Sequence, residues 1–325
     1  MNVRTKTASV LALAVGLASL LTVSGTRLAA SQGTTLTAMA TSDTVPVKDP
    51  WSSWWDRVPK VDVPLSAQQI SPPMGGRRWT LQARAVQDGT NLYIMLQWPD
   101  ATANRSVGAP QLFTDAAAVQ FPGVAAEKVP AFCMGDPTAT VNIWQWKAAW
   151  QADVANGFQG NVKTQYPNTE VDWYPFHNDP AYSTGGYVDN PFSVTKRTSP
   201  VDNLVAAGFG TLTADPSPLV NGWGVWTNGN WRVVFERPMS VTREGNVDLA
   251  TNDWSDVAFA VWDGAAMERN GMKSVGNFVT LHVTPQSVKS ASHFPFWPAP
   301  FFVFAAIWGL FTLVVAGREA KRARA

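Results

Sequence analysis

Apolar and polar residues alternate with a period of two in several short stretches of this chain. In RRWTLQARAVQDGTNLYIMLQWPD, residues 77–100, two such runs flank Asp88-Gly89, and Leu92, Ile94, Leu96 and Trp98 share one face of the second run. Alternation around an Asp-Gly pair predicts a β-hairpin, because glycine supplies the positive φ that a tight turn requires. GWGVWTNGNWRVVFERP, residues 222–238, repeats the arrangement around Asn228-Gly229, with Trp231, Val233 and Phe235 alternating with Arg232, Val234 and Glu236. Further strands are expected in ATVNIWQWKAAW (139–150), SDVAFAVWDG (255–264) and GNFVTLHVT (276–284). Helix is expected only in short pieces near 111–119 and in the two apolar ends. Long Gly/Asn/Pro-rich connections, above all residues 151–222, separate the strands, and no period repeats. This pattern predicts a mainly β protein: one antiparallel β-sandwich with long loops, plus a C-terminal transmembrane helix.

The ends set the organisation. Arg4 and Lys6 precede an apolar run from Ala8 to Val23, the layout of a secretory signal, so residues 1–30 read as a signal peptide or signal anchor. Residues 31–50, rich in Ser and Thr, read as an extended lead-in, and 51–293 as the folded body. Residues 294–317 run from Phe294 to Gly317 without a charge, about the length that spans a hydrocarbon core. Arg318, Lys321, Arg322 and Arg324 follow in a basic tail, 318–325, which favours the cytoplasmic side. The expected location is the cell membrane, single-pass, with the body on the extracytoplasmic face. A buried core helix is the alternative for 294–317, and the abutting basic tail argues against it.

Charge and cysteine content exclude several classes. Setting aside Arg4, Lys6, Arg27, the four basic tail residues and Glu319 leaves a body with 18 positive and 23 negative side chains. A body that acidic does not suit nucleic acid. A single cysteine precludes an intrachain disulfide and a cysteine-ligated iron–sulfur cluster, and no CxxCH is present for covalent haem. Three histidines, His177, His282 and His293, make a histidine-built metal site a poor prospect. No HExxH motif and no Ser/His/Asp order is present, and the aspartates are scattered. Most of the sixteen tryptophans fall in strand-like runs, where core packing is the default.

Two segments carry the candidate chemistry. VPAFCMGDP, residues 129–137, sets Cys133 and Met134 in a loop, where an apolar plug and a sulfur ligand are both open readings. VAFAVWDGAAMERNGMKSVGNFVTLHV, residues 257–283, places Lys273 between two expected strands, after Asn270-Gly271 and Met272. Alone, such a lysine is a solvated turn residue more often than a ligand.

Together, the WDG…ERNGMKSV run, the FCMG loop, the DGTNLYIMLQW strand and the strand order resemble the haem-binding gamma subunits of exported molybdenum oxidoreductases of the dimethyl sulfoxide reductase family. Those are the subunits of ethylbenzene, dimethyl sulfide, selenate and chlorate type enzymes. The resemblance runs from about Trp51 to Val283 and is strongest around Lys273. It implies one b-type haem (heme b) in a pocket of a β-sandwich, with Met134 and Lys273 as axial ligands. Met74, in PPMGG, is the reserve methionine, and Met272 is expected to point away from Lys273. A lysine ligates only as the neutral amine, and burial lowers a lysine's pKa. Iron with both axial faces occupied transfers electrons and offers no open site, so the resemblance implies a non-catalytic subunit. Its implied partners are an iron–sulfur beta subunit, a molybdenum catalytic alpha subunit, and a cytochrome or membrane electron carrier. Arg77, Arg78 and Arg269 are candidates for the haem propionates on charge alone. The C-terminal anchor and Cys133 depart from the soluble members of that family. A membrane-anchored carbohydrate-binding or adhesion module is the alternative from another class, and a structural subunit without its cofactor is a third.

Overall fold

The computed structural model describes residues 34–285 except 124–129, 131–133, 161–164, 170–184, 186–187, 189, 216–218 and 251–252. Residues 1–30, the apolar stretch 294–317 and the basic tail therefore lie outside the described residues. So do Cys133, His177 and His293. Among the described residues no helix is long and apolar enough to cross a membrane.

The strands are β1 (Thr35–Ala40), β2 (Val61–Ala67), β3 (Trp79–Gln87), β4 (Asn91–Pro99), β5 (Ala116–Pro122), β6 (Val141–Lys147), β7 (Val201–Ala206), β8 (Thr213–Ala214), β9 (Asn221–Thr227), β10 (Asn230–Pro238), β11 (Trp254–Trp262), β12 (Ser274–Val275) and β13 (Val279–Val283). Among the described residues one α-helix, α1 (Ala148–Asn156), follows β6 directly. The chain is mainly β, as its periodicity predicts, and both expected hairpins are present. Trp231 pairs with Trp98 and Val233 with Leu96, so β10 lies against β4 with both apolar faces on the same side. Asn228 (φ 49°) and Gly229 (φ 75°) make the β9–β10 turn.

Three expectations need correction. The stretch expected as helix near 111–119 contributes strand β5 from Ala116 instead. Its three alanines favour helix locally, but ladders to β6 and β11 on either side override that preference. Conversely, the run expected as strand to residue 150 turns helical at Ala148. The sheet is also not purely antiparallel: β1 pairs in parallel with both β13 and β3. Part of the expected lead-in is thereby woven into the fold, with Leu36 and Ala38 fully buried.

The strands run in the order β8-β7-β6-β5-β11-β12-β2-β3-β4-β10-β9. The main core takes Leu81, Leu96, Trp98, Trp231 and Phe235 from β3, β4 and β10. From β5, β6 and β11 it takes Val119, Phe121, Trp144, Trp146, Phe259 and Val261. Two layers thus face each other across one core. Trp98, Trp146 and Trp231 meet there, Trp146 and Trp231 at 5.0 Å between ring centroids. Burying such large rings is a main driving force for the closure of the layers.

Candidate functional site

A strand has two faces, and the second face of the β5–β11 layer is buried as well. Ala117, Val119 and Phe121 of β5 enter the main core, while Ala116 and Ala118 belong to a separate cluster with Val141, Ile143, Leu204, Ala206, Ala260, Trp262 and Val275. The ladder sets Ala118 opposite Ala260, Ala116 opposite Trp262, and Gln120 opposite the buried Ala258. Four alanines on two adjacent strands give a broad apolar surface with short side chains. Met134 packs at this cluster and Lys273 lies over Trp262, so the fold brings the two candidate ligands to one face.

Met134 leaves the β5–β6 connection in the left-handed region, at φ 75°, and Gly135 follows at φ 72°. An L residue with a side chain pays roughly 1–2 kcal/mol for that conformation. Backbone contacts hold it. The Met134 N–H donates to Gln120 Oε1 at 3.2 Å, and its carbonyl accepts from the Gly208 N–H at 3.0 Å.

Lys273 is 6% exposed, far less than an ordinary turn lysine. Its Nζ lies 5.3 Å from the centroid of the Trp262 ring, and the Trp262 indole N–H donates to the Asn270 carbonyl at 3.1 Å. The loop that carries it is clamped by buried Gln68. The Gln68 backbone N–H donates to the Lys273 carbonyl at 3.0 Å, and its side-chain Nε2 donates to the Gly271 carbonyl at 2.9 Å. Gly75 and Gly76 lie against the same loop: a Cβ at Gly75 would stand 3.1 Å from the Met272 Cβ. Met272 therefore packs on Gly75 while Lys273 lies over Trp262. On β5, Gln120 beside Met134 and Ala116 beside Trp262 are four residues apart, about 13 Å along the strand.

The remaining candidates are distributed differently. Met74 is largely exposed, two residues before Gly76. Arg77 donates its backbone N–H to Ser274 Oγ at 2.9 Å, next to Lys273, and its guanidinium meets Asp263 at 3.1 Å. Arg78 is exposed on the same segment. Arg269 turns to the Phe113 ring, 4.7 Å away, and donates to the Met267 carbonyl. His282 stacks on Trp254 at 4.1 Å, at the β11–β13 edge.

Sequence reasoning missed several members. Gln68, Gln120 and Trp262 have no motif, although the Gly75-Gly76 pair signals a close backbone approach. Lys147 was missed too. It ends β6 opposite Ala116, with its amine 4.2 Å from the Trp150 ring centroid and 4.3 Å from that of Phe192. Burial pushes its amine down to about 8. Beside the Lys273 loop lie four buried acids, Asp100, Asp115, Asp263 and Glu268, and Arg77 acts on the first, third and fourth of them. Burial, then the Asp115 charge, raises Asp100 to about 7, and burial raises Asp115 to about 6 and Glu268 to about 7.

Residues 52–274 match the family model described as ethylbenzene dehydrogenase. A protein of Haloferax mediterranei, named as a candidate heme subunit of a respiratory nitrate reductase, is 29% identical over 78% of this chain and 70% of its own length. The chlorate reductase subunit gamma of Ideonella dechloratans is 29% identical over 70% of this chain and 75% of its own. The dimethylsulfide dehydrogenase subunit gamma of Rhodovulum sulfidophilum is 24% identical over 74% and 76%. Among solved structures, a candidate carbohydrate-binding protein from Bacteroides uniformis aligns at a TM-score of 0.40 and 8% identity, over 78% of this chain and all of its own. A likeness at that level carries no weight for function.

Proposed function

The chain belongs to the ethylbenzene dehydrogenase family, and from that membership we propose that it is a non-catalytic electron-transfer subunit holding one b-type haem between Met134 and Lys273. The observation that carries this reading is the buried lysine, 6% exposed, on the same alanine-rich face as a methionine kept in the left-handed region. When bound, the haem supplies a one-electron carrier.

The residues suit such a group. Ala116, Ala118, Ala258 and Ala260 offer a wide apolar surface to a flat, largely apolar ring. Met134 brings a soft, neutral thioether that favours the reduced metal. Lys273, held in place by the Gln68 clamp and the Trp262 ring, would hold the group through its neutral amine. A haem held by both side chains would carry electrons and would not bind substrate.

The relatives named as heme and gamma subunits of nitrate reductase, chlorate reductase and dimethylsulfide dehydrogenase support the proposed partners. These are a molybdenum catalytic subunit, the iron–sulfur subunit that exchanges electrons with this chain, and a cytochrome or membrane acceptor beyond it. We propose further that residues 294–317 anchor the chain, with its body outside the cytoplasm. The full chain should then remain with membranes under alkaline carbonate extraction, and a chain ending at residue 293 should not. The carbohydrate-binding alternative finds little support, since Trp254 is the one exposed tryptophan among the described residues.

The deciding experiment compares oxidised and reduced visible spectra of the full-length chain with those of Met134→Ala, Lys273→Ala and Lys147→Ala. A low-spin b-type spectrum in wild type and in Lys147→Ala, turned high-spin or lost in the other two, is the expected result. Loss in Lys147→Ala with survival in Lys273→Ala would move the axial role to the other lysine. Folded wild type that takes up no haem would overturn the reading.

A further inference from the structure

We propose that Asp100, Asp115 and Asp263 form a binding site for one divalent cation of the calcium class, separate from the Met134–Lys273 face and independent of the haem reading. The three lie at strand ends brought together by the fold: Asp100 just after β4, Asp115 just before β5, and Asp263 just after β11. One carboxylate oxygen from each lies within 4.8 Å of the others. All three are buried, at 3%, 0% and 4% exposure.

Hydrogen bonds account for most of their oxygens. Asp115 accepts from the Gly264 N–H at 2.8 Å on one oxygen, and from the Asn104 N–H at 2.7 Å and the Trp231 indole at 3.0 Å on the other. Asp263 accepts from the Ala266 N–H at 3.2 Å and meets Arg77 at 3.1 Å. Asp100 Oδ1 accepts from the Thr102 N–H at 3.0 Å, but its Oδ2 is buried with no hydrogen-bond partner. A buried carboxylate oxygen without a donor is costly, and a cation among the three would satisfy it.

Charge and chemistry point the same way. Three carboxylates against the single guanidinium of Arg77 leave two negative charges, which one divalent ion neutralises. The neighbouring Glu268, whose Oε2 accepts from the Asp263 N–H at 2.9 Å, is raised to about 7 by burial and adds little charge below that pH. The donors are all oxygens, which selects a hard cation. Calcium takes six to eight oxygens in a flexible geometry and suits a site built from protein carboxylates, whereas magnesium demands near-ideal octahedral geometry and keeps several waters, which a buried cluster does not favour. Bound there, the ion would tie the β4–β5 connection to the end of β11, from which the chain runs on to Lys273.

Tryptophan-excited terbium luminescence tests the site, because Trp231 touches Asp115 and is placed to transfer energy to an ion between the carboxylates. The full-length protein is stripped with chelator and titrated with terbium, then with calcium. The expected result is saturation at one equivalent, displacement by calcium, and loss of on the order of tenfold or more in affinity in Asp100→Asn. Asp62→Asn, at an exposed carboxylate paired with Lys60, should leave the titration unchanged. If Asp100→Asn does not fold, the wild-type melting temperature decides, since an ion that binds only the folded chain must raise it. No saturable signal, a signal that calcium does not displace, one unchanged in folded Asp100→Asn, or no calcium-induced rise in melting temperature would overturn the site in favour of protons shared among the carboxylates.

Discussion

Gly76 lies directly against the backbone of Lys273. Its φ is +115°, and a Cβ placed on it would overlap the Lys273 carbonyl and the Ser274 amide nitrogen. The lysine's position is thus set partly by a residue almost two hundred positions earlier in the chain, through a contact that only a missing side chain permits.

Gly76→Ala tests that contact. Alanine meets both an unfavourable φ and backbone atoms that cannot swing aside, so the loss of stability should be about 2–4 kcal/mol. Urea unfolding measures it. The same variant should broaden or shift the visible spectrum of the haem-loaded protein, because the Lys273 loop must move.

Gln68 makes a complementary prediction. Its side chain donates to the Gly271 and Ser71 carbonyls and accepts from the Ile70 and Ser71 N–H groups, at 1% exposure. Gln68→Leu is close in volume but leaves those groups unmet, at a cost of about 2–4 kcal/mol. Gln68→Glu keeps the acceptor but turns a buried carboxylate oxygen onto the Ser71 and Gly271 carbonyls, so in chemical denaturation it should lose at least as much as leucine at neutral pH and recover as the acid protonates.

How much of this was legible follows from the range of each signal. The β4 and β10 strands could be read because period-two alternation and an Asn-Gly or Asp-Gly turn are local. Strand β5 could not, because its alanines are held by β6 and β11, far away in sequence. Met134 and Lys273 were reached through a family likeness, and no spacing rule joins residues 134 and 273. The acids at 100, 115 and 263 looked scattered for the same reason: three strand ends meet only after the sheet has formed.

Those acids predict the pH dependence of stability. Asp100 and Glu268 at about 7 and Asp115 at about 6 all lie above their unfolded values, while Asp263 and Arg77 face them. The folded state therefore binds more protons than the unfolded one between about pH 4 and 7. Stability from these groups is full below that window and is lost as pH rises through it, by about 1–3 kcal/mol for the coupled set. Lys147, lowered to about 8, acts in the opposite direction above pH 8. Thermal melts in chelator should show a falling melting temperature from about pH 5 to 8, and a flat or rising one would contradict the buried, strained character of the cluster.

The left-handed conformation of Met134 gives the sharpest test of stored strain. In haem-free protein, Met134→Ala and Met134→Gly both remove the packing of the thioether against the Ala116–Val141–Leu204 cluster. They differ in backbone preference. At an ordinary position alanine is the more stable by roughly 0.5–1 kcal/mol, since glycine has more freedom to lose. At φ 75° the order should reverse, with the glycine variant about 1 kcal/mol the more stable, because glycine alone enters that region without steric cost. Both variants should lack the low-spin spectrum. A reversal would mean that the fold holds a methionine where a glycine is preferred, as expected where a side chain is kept for its ligand and not for its contribution to folding. The usual order, alanine above glycine, would mean that the β5–β6 connection relaxes without strain and that Met134 owes its place to packing alone.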